Sequence, residues 1–319
     1  MKSKKGWVIR RILKYGSPLL SIGEMVGIRN NGLGVPHQPC VFIIGAPRTG
    51  STILYQLVTS MLDVSYIDNL ANMARYNPYV GLRLSNWQFK DQTHHSFSSK
   101  FGNTIGDGLH APAEALFFYR WFPKDRHYTV PGDLTPAQIS AFRETINALI
   151  NRYNKPLVLK NLSFSLRLKV LKEALPDAKF IVVKRNPLYT AQSIILAMRN
   201  NKVPDHKLWS ILPREAGQLE ALERFEMVVK QIFYIEKQIY EDLKQFPEDH
   251  ILYIDYEKLG PGTEMLMEEI ISFLGPDVKK RDNIPEPEIK VKNRINLRDN
   301  EIDMLKQQIG KMDWENFNA

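Results

Sequence analysis

The chain has 319 residues, with 43 Lys and Arg against 35 Asp and Glu, a net charge of +8 and a pI near 9.3. That length suits one large domain or two small ones, and no apolar run reaches the roughly 20 residues that a bilayer span needs. A single cysteine, Cys40, excludes an intrachain disulfide and fits a reducing compartment, while the basic balance favours an acidic partner: nucleic acid, anionic membrane or a polyanionic small molecule.

Residues 1–36 form a basic N-terminal segment carrying Lys2, Lys4, Lys5, Arg10, Arg11 and Lys14. Its short apolar stretch is interrupted by Glu24 and followed by no small-residue cleavage pattern, so a secretory leader is not expected and a cytoplasmic location is. A solvated arm is the favoured reading of this segment. A weak contact with a membrane surface or polyanion, placing the protein peripherally on a membrane, is the alternative.

From residue 37 onward strands alternate with helices. Val41 to Ile44 is a β-branched and aromatic run that predicts a buried strand, with a helix over 52–62 behind it. Leu157 to Lys160 predicts a second strand and 164–174 a helix. Phe180 to Val183 predicts a third strand, and Pro187 suits the first position of the next helix. Leu222, Phe225, Val229, Ile232, Ile239 and Leu243 lie along one stripe of a long helix over 215–243. Ile251 to Ile254 reads as a strand, 265–274 as a helix ended by Gly275-Pro276, and 300–310 as a last helix after an irregular stretch marked by Pro285 and Pro287. This order implies an α/β fold, a central mostly parallel sheet flanked by helices in three layers. The expected organisation is one domain over 37–319, with a polar, loop-rich insertion on the acceptor side around 77–110.

FIIGAPRTGST, residues 42–52, runs from strand to Gly-x-x-x-x-Gly to helix. Such a turn gathers backbone N–H groups at a helix N-terminus and holds an anion. Gly45 and Gly50 permit the tight turn, Arg48 supplies a cation, and Thr49, Ser51 and Thr52 supply hydroxyls, with Thr52 able to cap the helix. A nucleotide-hydrolysing loop would carry Lys after the second Gly; here that position is Ser51. Downstream, KFIVVKRNPLYTAQSIILAMR (179–199) places Arg185 at the end of a strand, Asn186-Pro187 at the turn, and Ser193 eight residues after the Arg. Arg185 thus sits at the carboxyl edge of the sheet, where open α/β folds bind ligands, and a guanidinium fork suits a phosphate.

Pro47-Arg48-Thr49-Gly50-Ser51-Thr52 resembles the 5′-phosphosulfate loop of sulfotransferases, enzymes that use 3′-phosphoadenosine 5′-phosphosulfate (PAPS). Arg185 and Ser193 resemble that family's 3′-phosphate pair. Leu159-Lys160-Asn161 with Pro176-Asp177-Ala178-Lys179-Phe180 is similar to its central strand–helix–strand unit. Ile254-Asp255-Tyr256-Glu257-Lys258-Leu259 with Phe273-Leu274-Gly275 is similar to its late strand and closing helix. The resemblance runs from about residue 40 to 275. It implies a P-loop-like fold, PAPS as co-substrate and adenosine 3′,5′-bisphosphate (PAP) as product, and transfer of a sulfuryl group to a hydroxyl or amine of an acceptor. It implies that Arg48, Thr49, Gly50, Ser51 and Thr52 hold the 5′-phosphosulfate, with Arg48 and then Lys160 facing the developing charge. No metal is called for, and the His94-His95 pair is weak as a ligand set.

The catalytic His of cytosolic sulfotransferases, two residues after a Lys, corresponds here to Leu162. Other branches use Glu, and Glu114 in GLHAPAEALFFYRWF (108–122) resembles a Pro-x-Glu-aromatic segment of bacterial relatives. Flanked by Leu116, Phe117 and Phe118, it is expected to be partly desolvated and to act as the base; His110 is the second candidate. The acceptor is not legible: a glycan, a lipid-linked sugar, a small phenol and a peptide tyrosine all fit. Trp87, Phe97, Tyr119 and Trp121 would stack on a ring or pack in the core. Lys290, Lys292 and Arg294 are candidates to close over the 3′-phosphate.

Two other functions compete. Ile251 to Asp255 mimics the strand of a kinase or NTPase that works on Mg-ATP, although the P-loop Lys is absent. A non-catalytic polyanion-binding protein would fit the charge, but there is no nucleic-acid motif and no nucleic-acid partner is expected.

Overall fold

The computed structural model describes residues 17–314 except 100, 101, 103, 261, 283, 285, 286, 288, 290 and 292. Lys290, Lys292 and the six cations before residue 17 therefore lie outside the described residues. A helix Ser17–Asn31 (α1) precedes the first strand, Cys40–Ile44 (β1), which runs into Ser51–Met61 (α2). A short strand Ser65–Tyr66 (β2) leads to helices Asn69–Met73 (α3) and Pro78–Phe89 (α4). Beyond an irregular stretch comes Pro136–Tyr153 (α5), then Leu157–Lys160 (β3) and Leu168–Ala174 (α6). Lys179–Lys184 (β4) is followed by helices Pro187–Asn200 (α7), Ala216–Leu219 (α8) and Arg224–Leu243 (α9). Ile251–Asp255 (β5), Thr263–Leu274 (α10) and Asp299–Gly310 (α11) complete the order.

The sheet is wholly parallel, in the order β2-β3-β1-β4-β5. A parallel sheet needs cover on both faces, and the alternation of side chains supplies it. Phe42, Ile44, Leu157, Leu159, Phe180 and Val182 face a core filled from α5, α6, α7 and α9. Val41, Ile43, Val158, Ile181 and Val183 face a second core filled from α2 and α10. The result is the three-layer α/β architecture expected. β1 lies between β3 and β4, so the strand order switches sides there and a crevice opens at the carboxyl edge. The two strands flanking β1 end there in Lys160 and in Lys184-Arg185.

The four expected strands match their ranges to within a residue, while the two-residue edge strand β2 was not expected. The helices differ more. The stretch over 215–243 is two helices broken at residues 220–223. The helix expected from 164 begins as a 3-10 turn, Leu162–Leu166, before α6. Within 77–108, expected to be irregular, Pro78–Phe89 is helical; its inward face includes Gly81 and Ser85 beside Tyr79 and Leu82, so small residues blur the apolar period. α1 packs on α4 and α5, with no room for a side chain at Gly27, where the helix crosses the Tyr79 ring. Among the described residues, no helix is long and apolar enough to cross a membrane.

Candidate active site

The loop between β1 and α2 holds three residues at positive φ: Gly45 at 151°, Arg48 at 69° and Gly50 at 99°. A side chain at Gly45 would meet the Val183 carbonyl at 2.6 Å, and one at Gly50 would meet the Tyr256 ring at 2.4 Å. Arg48 adopts the left-handed conformation without being Gly, a local strain often kept at functional sites. Ser165 buttresses the turn: its Oγ accepts from Gly45 N (3.1 Å) and donates to the Gly45 carbonyl (3.0 Å). Thr49 is fully buried and its hydroxyl donates to the Ala46 carbonyl (2.9 Å), so that side chain staples the loop and only its backbone remains for a ligand. Gly50, not Thr52, is the N-cap of α2.

Arg48, Arg185 and Ser193 converge although they are far apart in sequence. Arg48 Nε donates to Ser193 Oγ (3.1 Å), and Arg185 Nη1 donates to the Arg48 carbonyl (2.9 Å). Arg185 also donates from Nε and Nη2 to Asn293 Oδ1 (3.2 and 3.0 Å) and lies 4.2 Å above the Tyr256 ring. Burial first, and then the charge of Arg185, lower the pKa of Arg48; burial likewise lowers that of Arg185, opposed by Tyr256 and Glu257. Two partly desolvated guanidiniums facing one corner form a site that an anion would relieve. Residues 294–297 are strapped to α7 beside it: Gln192 Nε2 donates to the Arg294 carbonyl (2.8 Å), and Gln192 Oε1 accepts from Asn296 N (2.7 Å) and Leu297 N (3.2 Å).

On the other side of β1, Glu114 meets the end of β3. Ala115 N donates to the Lys160 carbonyl (3.0 Å) and Asn161 Nδ2 donates to the Ala115 carbonyl (3.2 Å), which pins the segment against the sheet. Lys160 Nζ then donates to Glu114 Oε1 at 2.5 Å. Phe117 and Phe118 point into the core, leaving the carboxylate at the cleft.

A cleft of about 750 Å³ is lined by Arg48, Ser51, Thr52, Glu114, Lys160 and Arg185, with Phe97, Leu162, Trp209 and Tyr256 as its apolar and aromatic walls. His110 does not join them. It lines a different pocket with Asp91, Lys155 and Arg281, stacks on Phe89 at 4.0 Å and bonds Tyr66 Oη through Nε2 (2.9 Å). Of the four aromatics suggested for the acceptor side, only Phe97 reaches the cleft; Trp87 is exposed, while Tyr119 and Trp121 pack on the core. Asp255 ends β5, which β4 separates from β1, and the Walker-like carboxylate is exposed and does not line the cleft. Sequence reading missed Ser165, Gln192, Tyr256 and Asn293 as site residues. Tyr256 stood within a noted motif, but no spacing rule ties it to Arg185.

The family model described as the sulfotransferase family matches residues 39–280, most of the chain. The chain belongs to the sulfotransferase family. Among curated sulfotransferases it is similar to the omega-hydroxy-beta-dihydromenaquinone-9 sulfotransferases of Mycobacterium bovis and Mycobacterium tuberculosis, each 27% identical over 174 residues. That alignment takes in 50% of this chain and 45% of the relative, so the chain matches about half the length of these proteins. Among solved structures, a sulfotransferase from Mycobacterium tuberculosis is 14% identical with a TM-score of 0.47, over 88% of this chain and 79% of that one. A sulfotransferase from Alicyclobacillus acidocaldarius is 16% identical with a TM-score of 0.44, over 88% of this chain and 99% of that one.

Proposed function

We propose that this sulfotransferase-family chain moves a sulfuryl group from PAPS to a hydroxyl, or an amine, of an acceptor bound in the cleft. One observation carries the reading: Arg48 and Arg185, 137 residues apart, meet beside a phosphate-type loop that lacks the P-loop Lys. Two guanidiniums at that corner suit a phosphate on the ribose 3′ oxygen, the feature that separates PAPS from ATP. Gly50, Ser51 and Thr52, at the N-terminus of α2, would hold the 5′ end, and Arg185 with Ser193 the 3′-phosphate.

PAPS supplies the sulfuryl group, whose sulfur passes from the 5′-phosphate oxygen to the acceptor oxygen while PAP departs. Glu114 takes the acceptor's proton. Lys160 and Arg48 face the oxygen that gains charge as the sulfur leaves it, so the reading calls for no metal ion. Phe97, Leu162 and Trp209 give the acceptor end an apolar wall. The curated relatives carry a hydroxylated menaquinone in their name, and a hydroxyl is the group this proposal needs.

Calorimetric titration with PAP, beside ADP and beside ATP with Mg²⁺, tests the reading. PAP is expected to bind tightest. Tighter binding of ATP with Mg²⁺ would replace it with a kinase or NTPase; equal, steeply salt-dependent binding of any polyanion would replace it with a non-catalytic binder.

A further inference from the structure

α1 packs one face on the domain and leaves an apolar stripe on the opposite face. Leu20, Glu24, Gly27, Ile28 and Asn31 turn toward the domain. Leu19, Ile22, Met25 and Val26 turn away from it and are 76%, 58%, 64% and 49% exposed. These four share one stripe of a 3.6-residue helix. Leu33 and Val35, 77% and 82% exposed, continue the apolar surface past the helix end. Half of the exposed large hydrophobic side chains among the described residues thus lie between residues 19 and 35. A contiguous apolar stripe left exposed beside the domain marks an interaction surface, so the outward face calls for a partner.

The charge around it selects the partner. Residues 1–39 contain seven Lys and Arg and one acidic residue, Glu24. Glu24 faces inward: its carboxylate accepts from Tyr79 N (3.2 Å) and Val80 N (3.0 Å) and pairs with Arg120 at 3.8 Å. Arg29 lies within the outward stripe. Arg120 also lines a cavity of about 350 Å³ with Arg75, Tyr76 and Lys124, and Ser21 of α1 donates to Asn77 beside Tyr76 (3.2 Å). Arg29 thus stands within the apolar stripe, the described part of the segment has no exposed carboxylate, and six Lys and Arg precede the helix in the sequence. Trp7 and Tyr15 precede the helix, and both residue types favour the headgroup level of a bilayer.

We infer that the outward face of α1, with the basic run before it, docks the protein on an anionic lipid surface, the helix lying in the interface plane. Apolar burial and attraction to anionic headgroups act together in such helices. This surface is independent of the catalytic reading and stands or falls without it.

Co-sedimentation of the full chain with vesicles tests the inference. Binding is expected to an equimolar mixture of phosphatidylcholine and phosphatidylglycerol, falling about tenfold or more on phosphatidylcholine alone or in high salt. The double variant Ile22→Glu, Val26→Glu is expected to lose about tenfold in partitioning with its melting temperature unchanged, because both side chains are exposed. Replacing Lys4, Lys5, Arg10 and Arg11 with Gln is expected to lose at least as much. Equal binding to both lipids, or binding that ignores both variants, would overturn the inference. So would a dimer in sedimentation velocity that Ile22→Glu, Val26→Glu dissolves and that binds no vesicles, since a second copy of the chain would then own the face.

Discussion

Lys160 Nζ lies 2.5 Å from Glu114 Oε1, yet the lysine side chain is 2% exposed and the glutamate 36%. The lysine is thus a buried cation whose counter-charge stands in the cleft. Burying an ammonium without a partner costs several kcal/mol, so the sheet edge positions Glu114 as firmly as Glu114 neutralises Lys160. An anion entering the cleft would compete for the lysine and release the carboxylate toward an acceptor. That coupling gives the pair its place in the proposed chemistry.

Glu114→Gln keeps an oxygen for Lys160 and removes the base. Turnover, followed as PAP release in the presence of an acceptor, is expected to fall about 10²–10⁴-fold, while calorimetric affinity for PAP is kept or raised. Because the change leaves the buried Lys160 ammonium with an amide oxygen but no counter-charge, a stability loss of about 1–3 kcal/mol is expected in denaturant titration. Retained turnover would move the base elsewhere.

Gly50→Ala should damage the loop itself. Its φ of 99° disfavours any side chain, and the added carbon would stand 2.4 Å from the Tyr256 ring. A loss of about 1–3 kcal/mol in stability is expected, with PAP affinity reduced more than tenfold because Tyr256 also supports Arg185. Urea denaturation and PAP titration of the same sample measure both; an unchanged pair of values would mean the loop is not held as described.

The segment over 93–98 is tied to α2 by groups that titrate. Thr59 Oγ1 donates to the Tyr55 carbonyl (2.6 Å), so His94 Nε2 carries the proton of their 2.8 Å contact, and Nδ1 accepts from Ser96 N (3.2 Å). A second proton would face that N–H. Burial first, then the charges of His110, His95 and Arg281, push the pKa of His94 down to about 3 from 6.5. Between those values the unfolded chain binds the extra proton and the folded chain does not, so this contribution is lost as pH falls below about 6.5. Asp68, pushed up to about 7 chiefly by burial, acts in the opposite sense, favouring the fold below its ordinary range and losing that effect as pH rises toward 7. His94→Gln isolates the first effect. The stability gap between wild type and variant should narrow steadily from pH 7 to pH 4 in denaturant titrations; a constant gap would show that His94 does not titrate across that window.

The parts of this fold that the sequence made legible are those with short local signals. Val41 to Ile44 and Leu157 to Lys160 are apolar runs between turn residues, and each folded as read. Arg48, Arg185 and Ser193 could be paired because two motifs with their own internal spacing announced them. α5 went unseen although Thr135-Pro136-Ala137-Gln138 forms a capping box, with Gln138 N donating to Thr135 Oγ1 (3.3 Å) and Thr135 N to Gln138 Oε1 (2.8 Å). The link from Arg185 to Asn293 spans 108 residues and no local pattern encodes it. His110 and Trp87 failed as cleft residues for a related reason: which way a loop or helix turns a side chain is decided by what packs behind it.

Arg185→Ala provides the most direct measurement of the central claim, with the affinities of PAP and 5′-AMP compared in wild type and variant by calorimetry. The two ligands differ only in the 3′-phosphate. Charge-assisted hydrogen bonds are worth about 1.5–3 kcal/mol, so the wild type should prefer PAP by about tenfold or more and the variant should lose most of that preference while holding 5′-AMP nearly as well. A wild type that binds both alike, or a variant weakened equally for both, would contradict the assignment of the Arg48–Arg185–Ser193 corner to the 3′-phosphate.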